Sequence, residues 1–281
     1  MKPPIRAGIG LALIFCAAQA LAAAYDDFNA GVAQLSRGDN EAAVAAFTRA
    51  LDAGDLGPGL VPTAYFDRAL AYFRLEQADL GLADITSAIA KKPDYIEAYL
   101  VRGHFYAREG NAKEAEADFD SAIRLRPDRS DLYFARGRSR WDMGDFADAA
   151  TDFGQASRLN AQEPYSIVWQ FISAGRATPM DQDALRNAVH GLDLYRWPGP
   201  VLRLFLRRLS PEELQAAATH ADAIYTANPV CEANFYIAEW HVLNNELAEA
   251  KPLLEAAAKD CSRNNDEFYA AAIELKRAPF R

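Results

Sequence analysis

The sequence predicts an all-α fold built as a stack of antiparallel helix pairs, and three observations predict it. Small and aromatic residues recur with a period of 34 residues through the first half of the chain. Within each period they fall at i, i+4 and i+7, which is one face of a helix. Ala, Leu and Glu dominate, while 16 glycines and 14 prolines among 281 residues are near average usage, and 51% of the chain is hydrophobic. A chain of this length and composition buries a sizeable core, in one large or two ordinary domains.

The first element is a leader, residues 1–24. Lys2 and Arg6 precede an apolar run from Ile9 to Ala18, and small residues follow at Ala20, Ala22 and Ala24. That is the pattern of a secretory signal peptide cleaved after Ala22 or Ala24. A transmembrane anchor fits less well, because the run is short and Tyr25, Asp26 and Asp27 follow at once. The alternative of a lipid-modified Cys16 requires a small preceding residue, and Phe15 stands there. Loss of Lys2 and Arg6 with the leader takes the formal charge from -9 to -11, which argues against a nucleic-acid partner.

The repeats follow over residues 25–161. In the copy at 96–129, Tyr99, Gly103 and Tyr106 occupy positions 4, 8 and 11, Ala115, Phe119 and Ala122 positions 20, 24 and 27, and Pro127 position 32. The copy at 62–95 places Tyr65, Ala69, Tyr72, Gly81, Ile85, Ala88 and Pro93 in the same register. The copy at 130–163 places Tyr133, Gly137, Arg140, Ala149, Phe153 and Ala156, with Ala161 in the place of proline. A degenerate copy at 24–57 keeps Gly31, Ala43, Phe47 and Ala50. Small residues let two helices approach closely, aromatics fill the space beside them, and proline ends the second helix. This spacing resembles the tetratricopeptide repeat, and the resemblance implies a solenoid of helical hairpins.

No clear copy is found over 162–230, where helices are expected at 164–176, 181–192, 200–209 and 210–226. The last opens with Ser210 as N-cap, Pro211 in the first turn and Glu213 as the returning partner. The stretch at 195–200 reads as a turn. A final copy fits from Cys231, with Ala238, Ala250, Leu254 and Ala257, and residues 264–277 read as a last helix closing the stack, so 231–281 forms a repeat-like hairpin with a capping helix.

The leader, the repeats, Trp169, Trp197 followed by the helix start at 209–214, and the run Asn234, Phe235, Tyr236 together resemble the NlpI-like family of bacterial envelope proteins across nearly the whole mature chain. The resemblance implies a periplasm-facing adaptor, commonly a lipid-anchored homodimer, that brings cell-wall hydrolases to a tail-specific protease. This chain departs from it in lacking the lipidation motif, which favours a soluble periplasmic protein.

In such repeats the inner surface comes from positions 2, 5, 9, 12 and 13 of each first helix. These are Thr63, Phe66, Leu70, Phe73 and Arg74; Glu97, Leu100, His104, Ala107 and Arg108; and Asp131, Phe134, Arg138, Trp141 and Asp142. The expected peptide groove is Phe66, Leu70, Phe73, Arg74, Leu100, His104, Arg108, Phe134, Arg138 and Trp141, its apolar pockets giving affinity and its arginines pairing with carboxylates. The competing reading is that the aromatics pack between repeats and the arginines are solvated. Arg140, in place of an aromatic at position 11, marks either a polar contact or a stem packed on the surface with its head in water.

Cys231 opens one helix of the last hairpin and Cys261 closes the other, so antiparallel packing brings them together as a structural disulfide. No metal site or cofactor is expected. His104, His190, His220 and His241 are scattered, and no zinc-peptidase, serine-hydrolase or phosphate-loop motif occurs. The expected function is protein or peptide binding without catalysis. The alternatives are a cell-wall enzyme with its site in 162–230, where His220 and Asp222 share one helix turn, and a purely structural assembly factor.

Overall fold

The computed structural model describes residues 7–221, 228–261 and 266–277. Among them are fifteen α-helices and no β-strand, which is the all-α architecture expected from the repeat. The chain divides into two compact units, Met1–Phe105 and Tyr106–Arg281.

In the first unit, α1 (Ala7–Arg37) pairs with α2 (Asn40–Asp52), and α3 (Val61–Arg74) pairs with α4 (Ala78–Lys91). Then α5 (Ile96–Arg108) begins, its last turn belonging to the second unit. The helix α1 is continuous across Ala22 and Ala24, so the expected leader and the first repeat helix form one rod from Ala7 onward; Lys2 and Arg6 lie outside the described residues. No described helix is long and apolar enough to cross a membrane.

The spacing of small and large residues has a direct structural cause. Position 8 faces the ring at position 24 of its own hairpin: a Cβ built on Gly31 would sit 2.7 Å from Phe47, and one on Gly137 would sit 3.0 Å from Phe153. Phe47 is fully buried and has no free direction in which to retreat. Gly31→Ala is therefore expected to destabilise the first unit by about 1–3 kcal/mol through overpacking, read as a lowered thermal midpoint with unchanged helical content.

A second ladder runs beside the first, and the sequence reading missed it. Arg68 at position 7 clamps Asp84 at position 23 of its own hairpin (Nε to Oδ2 2.6 Å, Nη2 to Oδ1 2.8 Å) and reaches back to Thr48 Oγ1 of the preceding repeat at 2.9 Å. Thirty-four residues on, Arg102 donates to Thr86 Oγ1 at 3.1 Å. Another thirty-four on, Arg136 holds Asp152 (2.9 and 2.6 Å) and Asp120 of the preceding repeat (2.6 Å). Each guanidinium also lies over the tyrosine at position 4, at 5.6 Å from Tyr65, 5.9 Å from Tyr99 and 5.7 Å from Tyr133. Arg68 and Arg136 thus each tie both helices of their hairpin to the repeat before it. The bidentate geometry suits a guanidinium and not a lysine.

The second unit contains α6 (Ala112–Leu125), α7 (Ser130–Met143), α8 (Phe146–Leu159) and α9 (Pro164–Ala177), each packed on the next. The short α10 (Gln182–Ala188), α11 (Gly199–Phe205) and α12 (Pro211–Thr219) follow, then the hairpin of α13 (Pro229–Leu243) and α14 (Leu247–Asp260), and finally α15 (Asp266–Glu274). Although proline is absent at Ala161, α8 ends at Leu159, and the Glu163 carboxylate then caps α9 by accepting from the amides of Tyr165 and Ser166 at 3.1 and 2.8 Å.

Within 162–230, α9 spans the whole of the expected 164–176, and the helices after it are shorter than expected. The segment expected to be helical to 209 stops at Phe205, because Arg207 turns left-handed (φ 57°) and Arg208 donates its amide back to the Arg203 carbonyl at 2.8 Å. The capping box of α12 forms as expected, Ser210 Oγ accepting from the Glu213 amide while Glu213 accepts from the Ser210 amide. Trp197–Pro198, within the expected turn, is a cis peptide. These pieces close over a shared core of Trp141, Trp169, Trp197, Phe205, Phe235 and Tyr236, so this interval is built into the same body as the flanking hairpins.

Candidate functional site

In the first unit the expected inner face is assembled from α3 and the part of α5 that belongs to it. Phe66 lies 4.9 Å from the Tyr95 ring, and Phe73 stacks on Phe105 at 4.2 Å. Both rings therefore pack between successive first helices, yet each keeps one side open, as do Leu70 and Leu100, which are half-buried. Arg74 is exposed, and its Nη1 donates to the Leu35 carbonyl at 2.9 Å; His104 is also exposed. On α3, Asp67 is pushed up to about 6 by burial. The packing and the groove readings of the aromatics are thus compatible here, since a ring wedged between helices can still present an edge.

The second unit differs, because α15 lies on its inner face. Arg138 Nη2 donates to the Asp266 carbonyl at 3.4 Å, the Tyr236 hydroxyl to Glu267 at 2.6 Å and Arg176 to Glu274 at 2.6 Å, while Arg277 reaches the Trp141 carbonyl. At the end of α5, Arg108 stands 5.1 Å over the Tyr269 ring. Of the residues expected as groove wall, Arg108 and Arg138 are therefore in contact with this helix and Trp141 with Arg277 in the turn after it. Two of them depart from that expectation. Trp141 is wholly buried among Trp169, Phe146 and Phe235, and Arg138 is buried against the Trp169 ring at 4.1 Å and paired with Asp142 at 3.2 Å. Phe134 packs edge-to-face on Phe153 at 5.2 Å. The last helix packs on α13 and α14 and also folds back to α7 and α9.

Arg140 is not solvated at its head. It binds Glu116 at 2.6 Å and Asp152 at 2.8 Å, so the polar-contact reading of this position holds.

Beneath α15, four buried glutamates form two pairs. On α13, Glu232 accepts from the Tyr165 hydroxyl and Trp197 Nε1, both at 2.8 Å; its neighbour on α15 is Glu267. One helical heptad further, Glu239 faces Glu274 across Arg176, which reaches them at 3.1 and 2.6 Å. Arg277 adds a second ion pair to Glu274, whereas Glu239 Oε1 is buried with no partner. Burial, and next the Glu274 carboxylate, push Glu239 up to about 7 against the pull of Arg176. Burial, and next Glu232, push Glu267 up to about 7. Both groups bind a proton more tightly folded than at the ordinary value of 4.5. The stability this contributes is complete below about pH 4.5 and is lost as pH rises through about 7. No period in the sequence marks these pairs. The heptad spacing of Glu232 with Glu239 and of Glu267 with Glu274 is the only signal that could have.

Cys231 and Cys261 are joined by a disulfide, with Cα atoms 5.3 Å apart. Among the described residues no group of three or more His, Cys, Asp or Glu could hold a metal ion. His220 is exposed at the end of α12, and Asp222 lies outside the described residues.

A family model for the tetratricopeptide repeat matches residues 28–96, 66–130 and 134–169. Among solved structures, a tetratricopeptide repeat protein from Parabacteroides merdae shares 13% identity at a TM-score of 0.61, the match covering 90% of this chain and 99% of that one. The C-terminal part of a repeat-containing protein from Cytophaga hutchinsonii shares 13% at 0.53, covering 88% and 87%. PilF from Pseudomonas aeruginosa shares 16% at 0.51, covering 91% and 98%. None of the curated proteins matches in sequence. At these identities the likeness is one of fold.

Proposed function

Starting from a chain that belongs to the tetratricopeptide repeat family, we propose that this protein is an exported adaptor of the bacterial cell envelope that binds peptides or proteins on the inner face of its repeats. The fold is that of a protein-interaction scaffold. The observation that carries the finer reading is the stripe on α3 and α5, where half-buried Phe66, Leu70, Phe73 and Leu100 stand beside exposed Arg74 and His104. Apolar edges flanked by a guanidinium and an imidazole suit an extended or helical segment bearing carboxylates. The basic and apolar leader supports export to the periplasm, and the likeness to the NlpI-like family supports partners among cell-wall hydrolases and a protease, with a homodimer as the assembled form.

The test is capture from envelope extract with the oxidised mature protein, followed by mass spectrometry. A protease or wall hydrolase should be recovered, and Leu100→Glu together with Arg74→Ala should reduce its recovery at least tenfold. Equal recovery by the variant, or recovery of no such protein, would refute the reading.

A further inference from the structure

We propose that α15 is a displaceable occupant of a helix-binding face on the second unit, and that the ligand of this face is a helix of a partner protein carrying two carboxylates seven residues apart. This rests on the protein-binding reading above, though not on the partner's identity or location.

The occupant is itself the template. The side of α15 that faces inward reads Glu267, Ala270, Ala271 and Glu274, all buried: a carboxylate at each end and two small residues that let the backbones approach closely. Tyr236 receives the first carboxylate, Arg176 the second. The side chains that receive them belong to α9 and α13 and stay behind if α15 leaves.

The fit is incomplete, and incomplete in a specific way. The Arg138 side chain is 8% exposed, and its Nε and Nη1 have no hydrogen-bond partner. Its tie to α15 is a long bond to a carbonyl at 3.4 Å. Asp142 takes Nη2 at 3.2 Å, which leaves Nε and Nη1 to receive a further carboxylate; the first turn of α15 brings Asp266 here but bonds Arg138 through its carbonyl. A ligand whose first-turn carboxylate reaches Nε and Nη1 would complete what α15 leaves undone.

The attachment also carries its own release. Glu239 is faced by Arg176 from α9 and by Glu274 and Arg277 from α15 and the turn after it. Glu267 is faced by Glu232 and Tyr236 from α13 and has Asp266 beside it; Asp142 on α7 is faced by Arg138, Arg277 and Asp266. Glu239 and Glu274 share the cations Arg176 and Arg277, whereas Glu267 is faced by Glu232 and Tyr236, so loss of the Glu267 proton sets its charge against Glu232 across the contact, and separating α15 from α13 relieves it. Displacement is therefore easier as pH rises through neutrality.

The experiment is fluorescence anisotropy of a labelled peptide of residues 262–281 added to the full-length oxidised protein. Glu274→Gln weakens the attachment of α15 to Arg176 and leaves the face intact, so it should bind the peptide at least tenfold more tightly than the native chain. The native chain should bind several-fold more tightly at pH 8 than at pH 6. Hydrogen exchange should show α15 opening faster in the variant with α13 still protected. Should Glu274→Gln lose its helical signal, Arg277→Ala, which gives up the tie to the Trp141 carbonyl, serves the same comparison. Faster opening of α15 without peptide binding would overturn the proposal, as would exchange in α15 as slow as in α13 at pH 8. Dimerisation of the variant with the peptide excluded would assign the face to α15 of a second copy and would also overturn it. The envelope capture can fail with this binding intact, so the two readings fall separately.

Discussion

Asp152→Ala should cost about 3–5 kcal/mol of unfolding free energy, measured by urea denaturation of the second unit. The Asp152 side chain is 3% exposed and is the shared anion of two guanidiniums, Arg136 at 2.6 Å and Arg140 at 2.8 Å. Removing it leaves each of two largely buried cations with a single, more exposed carboxylate, Asp120 and Glu116, and breaking a buried ion pair by removing one partner costs far more than the pair contributes. The control is Asp120→Ala, which takes away the other partner of Arg136. Asp120 is 39% exposed, water can replace it, and its loss should cost less than about 1 kcal/mol. If the two substitutions prove equal, the arginine ladder is decoration on hairpins that hold by apolar packing alone.

The comparison of sequence and structure turns on how far apart the interacting residues lie. Gly31 and Phe47, or Gly137 and Phe153, meet within one hairpin, so a 34-residue ruler is enough to place them. The arginine ladder was equally legible, since Arg68, Arg102 and Arg136 recur at the same period, as do Asp84, Asp118 and Asp152. Charged residues at repeat positions read first as solvated surface, and that hides the ladder. Arg140 shows the same bias: an aromatic was expected, and a surface role was the ordinary alternative, yet its partner Asp152 sits at a buried position.

The groove was only half legible. Position numbers assign Arg108, Arg138 and Trp141 to one face, but nothing in the spacing announces that α15 returns to cover it. That contact joins Arg138 to Asp266 and Trp141 to Arg277, 128 and 136 residues apart. It is decided by two buried carboxylate pairs whose members are ordinary glutamates on the page. Long-range closure by polar groups leaves no periodic trace, whereas stacking of neighbours does.

The paired variant Cys231→Ser with Cys261→Ser is expected to lower the stability of the second unit by about 3–4 kcal/mol, the chain-entropy value for a loop of 30 residues. Both sulfurs are buried, so replacing both avoids leaving a lone reactive thiol. The bond joins the first turn of α13 to the end of α14. Asn228 ties the same two places again, accepting from the Cys231 amide at 3.1 Å and donating to the Asp260 carbonyl at 3.4 Å. Since α13 carries Glu232, Tyr236 and Glu239, slackening its start should reach α15 as well. Hydrogen exchange should therefore rise across α13, α14 and α15 in the variant and leave the Met1–Phe105 unit unchanged. The native protein with a thiol reductant should reproduce the effect. A native chain that melts identically with and without reductant would mean that packing of Phe235, Tyr236 and Leu254 already fixes this hairpin, and that the disulfide only records their proximity.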